Sequence, residues 1–189
     1  MHVASRRRYR LAMRGLNSKS GQGYSCGTDG RDAMAITNML IRDGTSADAD
    51  AMLALLPRLA AFDIPAHRKA EHLWSGDAAL LRRWLAGDAA QCLVQVAVVN
   101  DTVVGVTLTS LRPDLLSHEP SAHLEVIVVS AEAEGSSAGK ALLRAAEQNA
   151  REHGAQAMTL HVISSNERAR AIYEHCGYQN EMLRYIKLL

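Results

Sequence analysis

The segment from Leu124 to Tyr178 places the strongest constraint on how this chain folds. It begins with an apolar run, Leu124 to Val129, and passes through a loop of small residues into an alanine-rich helical pattern from Ala138 to His153. A predicted strand from Gln156 to Val162 follows, and then a second predicted helix from Glu167 to Cys176, capped by Asn166. A helix entered through a small-residue loop leaves backbone N–H groups free at its N-terminus, where anions bind. The segment therefore predicts a β-α-β-α unit with an anion-binding loop.

The surrounding sequence predicts that this unit belongs to a mixed sheet. Asn100-Asp101 between two apolar strand patterns is a two-residue turn signal, so these strands form an antiparallel hairpin. The β-α-β crossover, in contrast, joins parallel strands. We therefore predict an α/β fold, a mixed antiparallel/parallel central sheet flanked by helices, in the order β-α-α-β-β-β-α-β-α-β. The elements outside the unit are a strand at 35–42, helices at 45–60 and 66–85, hairpin strands at 92–99 and 102–110, and a last strand at 178–189.

Charge divides the chain into two parts. Residues 1–33 hold seven of the 21 basic residues and two of the 20 acidic ones, which leaves 14 basic and 18 acidic residues in 34–189. The first part is rich in Arg, Ser and Gly and lacks apolar periodicity, a composition typical of disorder. We predict a basic, disordered extension at 1–33 and a single domain at 34–189.

Three interpretations of the extension stay open. They are a basic arm for nucleic acid, an Arg-rich transit peptide, and the preferred one, an in-frame extension upstream of a natural start near Met34 or Met39. The domain itself is mildly acidic, so we expect no nucleic-acid partner for it. No apolar run approaches the ~18 residues of a membrane span, so we expect no membrane partner. Cys26, Cys92 and Cys176 are widely spaced without a C-x-x-C pair, which predicts thiols in a reducing cytoplasm.

Two motifs carry a resemblance to a known family. The pattern Asn-x-x-Ala-x-x-x-Tyr-x-x-x-Gly-Phe/Tyr matches at every spacing, and the loop pattern Arg/Gln-x-x-Gly-x-Gly/Ala falls on residues 134–139 with departures at Glu134 and Ser137. In these motifs, and in the order of elements from Ile36 to Leu189, the chain resembles the GNAT superfamily of N-acetyltransferases. The positions of the first motif are Asn166, Ala169, Tyr173, Gly177 and Tyr178.

The resemblance implies a GNAT-like acyl-CoA fold with acetyl-CoA as co-substrate and no metal. It also implies that two strands splay apart beside Val129 to admit the pantetheine arm. Glu134 would repel the pyrophosphate, whereas backbone N–H groups, the Ser136 and Ser137 hydroxyls and the Lys140 ammonium would offset that repulsion. The implied CoA-binding residues are Ile127, Val128, Val129, Glu134, Gly135, Ser136, Ser137, Ala138, Gly139, Lys140, Asn166, Ala169 and Tyr173.

Acyl transfer to an amine needs a base, because an alkyl ammonium of pKa ~10.4 is neutral only about once in 10³ at pH 7. Glu125 is the candidate, since a carboxylate inside an apolar strand is costly without a purpose and some family members use a glutamate there. His123 shares its strand face and could assist. The alternatives for Glu125 are a solvent-facing position or an ion pair with an arginine. Tyr173 is the candidate acid for the leaving thiolate, with a packed core tyrosine as the alternative.

The sequence therefore predicts an N-acetyltransferase that moves the acetyl group directly to a primary amine. A CoA-binding module with little or no turnover is the alternative, motivated by Glu134 and Ser137. The acceptor would be a small-molecule or peptide amine bound by residues 62–74 and 180–189, with a homodimer as one way to complete a shallow pocket. A P-loop nucleotide site is excluded, because its glycines are one residue too close and Ala141 replaces the magnesium-binding Ser/Thr. No His/Cys/Asp cluster has the spacing of a metal site.

Overall fold

The computed structural model describes residues 38–189, so the predicted extension at 1–33 and the start of the predicted first strand lie outside them. Short 3-10 turns at Ser46–Asp48, Leu56–Ala60 and Ala70–Leu73 accompany the helices. The strands are β1 (Met39–Asp43), β2 (Cys92–Val99), β3 (Thr102–Pro113), β4 (Pro120–Val129) and β5 (Ala157–Leu160). The helices are α1 (Ala49–Leu55), α2 (Ser75–Leu85), α3 (Ala138–Glu152) and α4 (Glu167–His175).

The sheet is mixed, as predicted. Its spatial order is β1-β2-β3-β4-β5, with antiparallel pairing from β1 to β4 and parallel pairing between β4 and β5. The β2–β3 turn has Asn100 and Asp101 at φ 48° and 60°, the left-handed conformations of a tight hairpin turn. The predicted α/β class with flanking helices is therefore confirmed.

Two hydrophobic clusters cover opposite faces of the sheet. One joins α1 and α2 to β2, β3 and the end of β4, through residues such as Met52, Leu81 and Val126. The other joins α3 and α4 to β4 and β5, through Leu143 and Tyr173. We refer to these as the α1/α2 face and the α3/α4 face. No helix within 38–189 combines the length and the apolar character that crossing a bilayer requires.

The predicted last strand at 178–189 is wrong. The structure has no strand in these residues, and the Tyr185 side chain is 87% exposed. The apolar residues here recur as adjacent pairs, Met182-Leu183 and Tyr185-Ile186, instead of alternating. A strand places neighbouring side chains on opposite faces, so such pairs give it no single apolar face to bury. The predicted order therefore holds up to α4 and ends there.

Candidate active site

β4 and β5 pair over only part of their length. Their parallel register ends at Leu124–Leu160, which is also where β5 ends. β4 continues from Glu125 to Val129, still paired with β3 on its other side. The edge of β4 beyond Leu124 therefore has no strand partner among the described residues, and we call this gap the opening. It is the splayed strand pair that the family resemblance implied.

Backbone groups of β4 point into the opening. The Ser130 N–H donates to the Val104 carbonyl at 2.7 Å, so Ser130 faces β3. Alternate residues of an antiparallel strand turn their N–H and C=O groups to opposite sides. Val128 then faces β3 as well, while Ile127 and Val129 face the opening. Of the three strand residues expected to bind pantetheine, Ile127 and Val129 are placed to offer backbone groups, and Val128 packs in the α1/α2 face.

A β-bulge places Glu125 at the start of the opening. Leu108 pairs with Val126 and Thr109 with Leu124, so Glu125 is the extra residue on β4. Leu124 packs in the α3/α4 face, and Val126 packs in the α1/α2 face. Because side chains alternate after Leu124, Glu125 also turns towards the α1/α2 face. Bulges commonly re-aim a side chain in this way next to active sites.

Arg112 and His123 flank the Glu125 carboxylate, whose side chain is 19% exposed. Glu125 Oε1 lies 3.6 Å from Arg112 Nη1, and Glu125 Oε2 lies 3.9 Å from His123 Nε2. The arginine pairing that the sequence left open as an alternative is therefore present. Both distances exceed an ordinary hydrogen bond, so the carboxylate can still accept a proton from a substrate.

His123 is buried on β4 and tied to β5. Its Nδ1 lies 2.7 Å from Thr159 Oγ1, and this hydroxyl lies 3.5 Å from the Ala122 carbonyl. One neutral tautomer of His123 donates Nδ1–H to Thr159 Oγ1, and the other accepts from that hydroxyl and carries its proton on Nε2, towards Glu125. Burial lowers the pKa of His123 to about 4, aided by the charges of Arg112 and His161. The ring is therefore neutral at pH 7.

Asp77, in the first turn of α2, belongs to the same electrostatic environment. Burial, and secondly the negative charge of Glu125, raises the pKa of Asp77 to about 6. Two carboxyl groups thus influence each other between α2 and β4, and a cation placed there would relieve their repulsion. No group of three or more His, Cys, Asp or Glu side chains within 38–189 has the arrangement of a metal site.

Asp77→Asn is expected to stabilise the protein at pH 8 and to change it little at pH 4. The pKa of Asp77 is about 6 in the fold against an ordinary value of 3.8, so the unfolded state releases this proton first as the pH rises. Above the range between these two pKa values, the ionised Asp77 carboxyl destabilises the fold. We expect a gain of about 1–2 kcal/mol at pH 8, reduced from the full linkage value by solvent screening.

Urea unfolding at both pH values measures this difference. Asp63→Asn, at an exposed loop position, is the matched control and should change the stability little at either pH. An equal change at pH 4 and pH 8 for Asp77→Asn would contradict the assignment.

Tyr173 lies on α4 beside the opening. Its ring packs in the α3/α4 face with Leu124 and Ile127, and its centroid lies 5.8 Å from that of Tyr178 in an edge-to-face arrangement. Burial, with a smaller effect of Cys176, raises the pKa of Tyr173 to about 12. The phenol therefore keeps its proton at neutral pH. The packing that the sequence left open as the alternative for Tyr173 is therefore present. It is compatible with the candidate role as donor, because the hydroxyl stays protonated.

Asn166 begins α4. Its Oδ1 accepts a hydrogen bond from the Ala169 N–H at 3.1 Å, which confirms the predicted N-cap. Because the cap engages Oδ1, a contact with pantetheine would use the Nδ2 amino group. This capping fixes the start of the helix that carries Tyr173, so Asn166 also supports the position of the candidate acid.

The loop between β4 and α3 is built around Gly135 and Ser136. Gly135 has φ 74°, a left-handed conformation that favours glycine. The Ser136 hydroxyl donates to the Ala133 carbonyl at 2.6 Å and lies 3.3 Å from the Ala138 N–H, so it supports the loop itself. A Cβ added to Gly139 would meet nothing within 4 Å, so the first turn of α3 is open to a ligand. The N–H groups of this first turn have no acceptors within the helix, so the turn suits a phosphate.

Two arginines bind Glu134 in this loop. Arg58 Nη2 donates to one carboxylate oxygen, and Arg168 Nη1 donates to the other at 2.8 Å. The Arg58 Nε also donates to the Val129 carbonyl at 2.8 Å. The Arg168 hydrogen bond is the main cause that holds the pKa of Glu134 below its ordinary value. The negative charge expected from the sequence is therefore present, but it is paired with two guanidinium groups.

Sequence reasoning missed Arg58, Arg168, Asp77 and Thr159. Arg58 and Arg168 are 76 and 34 residues from Glu134, and no spacing rule connects them. The one available signal was that Arg168 lies inside the first motif, two residues after Asn166. Asp77 and Thr159 lie on elements whose register the sequence did not determine.

The family comparison agrees with this geometry. The model of the acetyltransferase (GNAT) family matches residues 57–178, which is more than half of the chain and includes β4, the loop and α4. The chain belongs to the GNAT acetyltransferase family. This confirms the family that the sequence motifs indicated. No curated protein sequence matches the chain.

Solved structures share the GNAT fold. A putative acetyl transferase from Pyrococcus furiosus is 24% identical, with a TM-score of 0.66, over 80% of this chain and 100% of that one. A ribosomal-protein-alanine N-acetyltransferase from Brucella melitensis biovar Abortus 2308 is 18% identical, with a TM-score of 0.60, over 80% and 99%. AAC(6')-Iy, in complex with a bisubstrate analog, is 19% identical, with a TM-score of 0.60, over 81% and 100%. At these identities the likeness concerns the fold alone.

The site fits acetyl-CoA, the acetyl donor of GNAT acetyltransferases. The opening offers the backbone groups of Ile127 and the N–H of Val129, whose carbonyl binds Arg58 Nε, to a linear amide-containing arm. The loop ends at an accessible helix N-terminus beside Gly139, as a pyrophosphate requires. Ser137 is the N-cap residue of α3 without a side-chain cap bond, so its hydroxyl is not committed to capping that helix.

Proposed function

We propose that this chain is an N-acetyltransferase that transfers an acetyl group directly from acetyl-CoA to a primary amine. One observation carries the proposal: the opening joins the two faces of the sheet, with Glu125 on the α1/α2 face and Tyr173 in the α3/α4 face. A thioester in the opening would present its carbonyl carbon to an amine on the Glu125 side and its sulfur to the phenol on the other. Base and acid then act at opposite ends of the same reaction.

Glu125 and His123 provide the amine side of the site. Glu125 Oε2 and His123 Nε2 lie 3.9 Å apart, and burial keeps His123 neutral. An ammonium offers N–H donors to the Glu125 carboxylate. Glu125 accepts one proton from the ammonium before the nitrogen attacks, which supplies the neutral amine that neutral solution scarcely contains. The nitrogen loses its second proton as the amide forms, and a proton returns through solvent to the Tyr173 oxygen.

Backbone groups and Tyr173 provide the thioester side. The N–H groups that Ile127 and Val129 direct into the opening can donate to the carbonyl oxygen as it gains charge, and each such donor is worth about 3 kcal/mol in the transition state. As the carbon–sulfur bond breaks, the Tyr173 hydroxyl donates its proton to the sulfur. The products are the acetylated amine and free CoA.

The acceptor is a cationic amine. The Asp77 and Glu125 carboxyl groups lie on the amine side, where a positive charge would be attracted. AAC(6')-Iy was solved with CoA-S-monomethyl-acetylneamine, and the Brucella protein is described as acting on a ribosomal-protein alanine. Both small-molecule and peptide amines therefore belong in a screen. A second subunit over the exposed 180–189 segment is our proposal for closing the pocket.

The test is a thiol-release assay with acetyl-CoA and a panel of small amines, polyamines, aminoglycosides and peptides. We expect free CoA and an acetylated amine in equal amounts for at least one acceptor, with the product identified by mass spectrometry. Saturable binding of acetyl-CoA without acetylation of any amine would overturn the proposal in favour of the CoA-binding module with little or no turnover.

A further inference from the structure

Arg58 and Arg168 approach Glu134 from opposite faces of the sheet. Arg58 belongs to the 3-10 turn that follows α1, and Arg168 belongs to the first turn of α4. The two guanidinium groups bind the two oxygens of a single carboxylate. The Arg58–Glu134–Arg168 bridge therefore crosses the end of the opening, where β4 runs into the loop.

The bridge carries an excess of positive charge. Two guanidinium groups face one carboxylate, so the three side chains of the bridge sum to +1 near the N-terminus of α3, and the Arg58 charge also acts on Glu132. The side chains of Glu134 and Arg168 are 37% and 65% exposed, so a ligand from solvent can reach both. A guanidinium binds a carboxylate and a phosphate with the same two-pronged geometry, so one can replace the other.

We propose that Arg58 and Arg168 bind the diphosphate of CoA, and that Glu134 is a built-in competitor that holds both arginines until the phosphates displace it. The proposal rests on the proposed function, because it takes CoA as the ligand of the loop. Arg58 links the two parts of that ligand site, since its Nε also binds the Val129 carbonyl at the opening. Glu134, which stands where the family pattern has Arg or Gln, thus positions two arginines supplied by other elements.

A purely structural bridge is the competing explanation, and it predicts different directions of change in CoA affinity for the variants. If the bridge only holds the loop in shape, removing either Glu134 or Arg168 breaks it, and both changes weaken CoA binding. If the arginines exchange partners, removing Glu134 frees them for phosphate and tightens binding, whereas removing Arg168 weakens it.

Calorimetric titration with CoA distinguishes the two explanations without any amine or turnover. For Glu134→Gln we expect the Kd to fall about two- to fivefold, and for Arg168→Gln we expect it to rise by a similar factor, the range of partly exposed charge pairs. Arg170→Gln is the matched control on the same helix, because Arg170 binds the Ser164 carbonyl and Glu174, away from the loop. Its Kd should not change.

Pantetheine, which lacks the phosphates, is the second probe. Its affinity should be the same for wild type and for Glu134→Gln, and thermal melting shows that each variant is folded. If Glu134→Gln binds CoA more weakly than wild type, or with unchanged affinity, the proposed exchange of partners is overturned. The proposed function still stands in that case if the wild type acetylates an amine. Absence of CoA binding by the wild type would overturn both.

Discussion

Tyr173→Phe is expected to lower kcat about 10²-fold and to leave the Kd for acetyl-CoA nearly unchanged. The substitution removes one oxygen atom from a ring that packs in the α3/α4 face, so the packing with Leu124 and Ile127 is kept. What is lost is the donor that stabilises the negative charge on the sulfur as the carbon–sulfur bond breaks.

The pKa of Tyr173 keeps the phenol available as a proton donor, but it also makes proton transfer to the thiolate less favourable. Because burial raises the pKa to about 12, the phenol does not ionise below pH 11, and it is a donor throughout the working range. A thiol in water has a pKa of about 8.5, so full transfer to a solvated thiolate would be uphill. In the opening, the thiolate is also removed from water, which raises the pKa of the thiol and reduces its difference from the pKa of Tyr173.

Tyr178→Phe is the matched control for this variant. The Tyr178 hydroxyl donates to Glu147 at 3.1 Å and lies 3.2 Å from the Met158 sulfur, so this hydroxyl is bonded within the fold. Its removal should cost about 1 kcal/mol of stability and leave kcat close to wild type. Equal losses of kcat in the two variants would show that Tyr173 acts through packing and not as the acid.

Glu125→Gln is expected to lower kcat/KM about 10²-fold at pH 7, with a defect that shrinks as the pH rises. The glutamine keeps the size of the side chain in the bulge but cannot accept a proton. A free alkyl amine has a pKa of about 10.4, so raising the pH supplies the neutral amine that the variant cannot generate. The variant profile should therefore keep rising towards pH 10 while the wild-type profile levels off.

The pH profile of Glu125→Gln separates a base from a residue that only shapes the site. Glu174→Gln, which removes an exposed carboxylate on α4 paired with Arg170, is the control and should follow the wild-type profile. A Glu125→Gln defect of the same size at every pH would indicate a loss of acceptor binding or of the bulge, and would remove Glu125 from the role of base.

Local signals in the sequence were sufficient for most elements of the fold. The Asn100-Asp101 turn and the Asn166 cap were predicted because turn and cap chemistry reside in one or two residues. The last strand failed because a strand needs a partner edge and one apolar face, and residues 182–186 offer adjacent apolar pairs. Strand formation is a tertiary property, which the composition of a segment does not determine.

The candidate site divides in the same way. Glu125 and Tyr173 were predicted as base and acid from their residue types and motif positions, and these roles stay predictions; Glu125 turns towards the α1/α2 face and Tyr173 packs in the α3/α4 face. The bulge at Glu125 depends on register with β3, and the partners of Glu134 come from two distant helical elements. Such long-range pairs follow from packing, and apart from the position of Arg168 in the first motif no local signal in the sequence indicated them.

Titration of the amide-labelled protein with acetyl-CoA, followed by NMR, tests the central claim most directly. If the opening and the loop hold the co-substrate, the amides of Ile127, Val129 and Gly139 shift together and saturate at one Kd. The amides of Asn100 and Asp101, in the hairpin turn, stay in place. Unchanged amides along β4 at saturating acetyl-CoA, or shifts confined to another part of the sheet, would contradict the account.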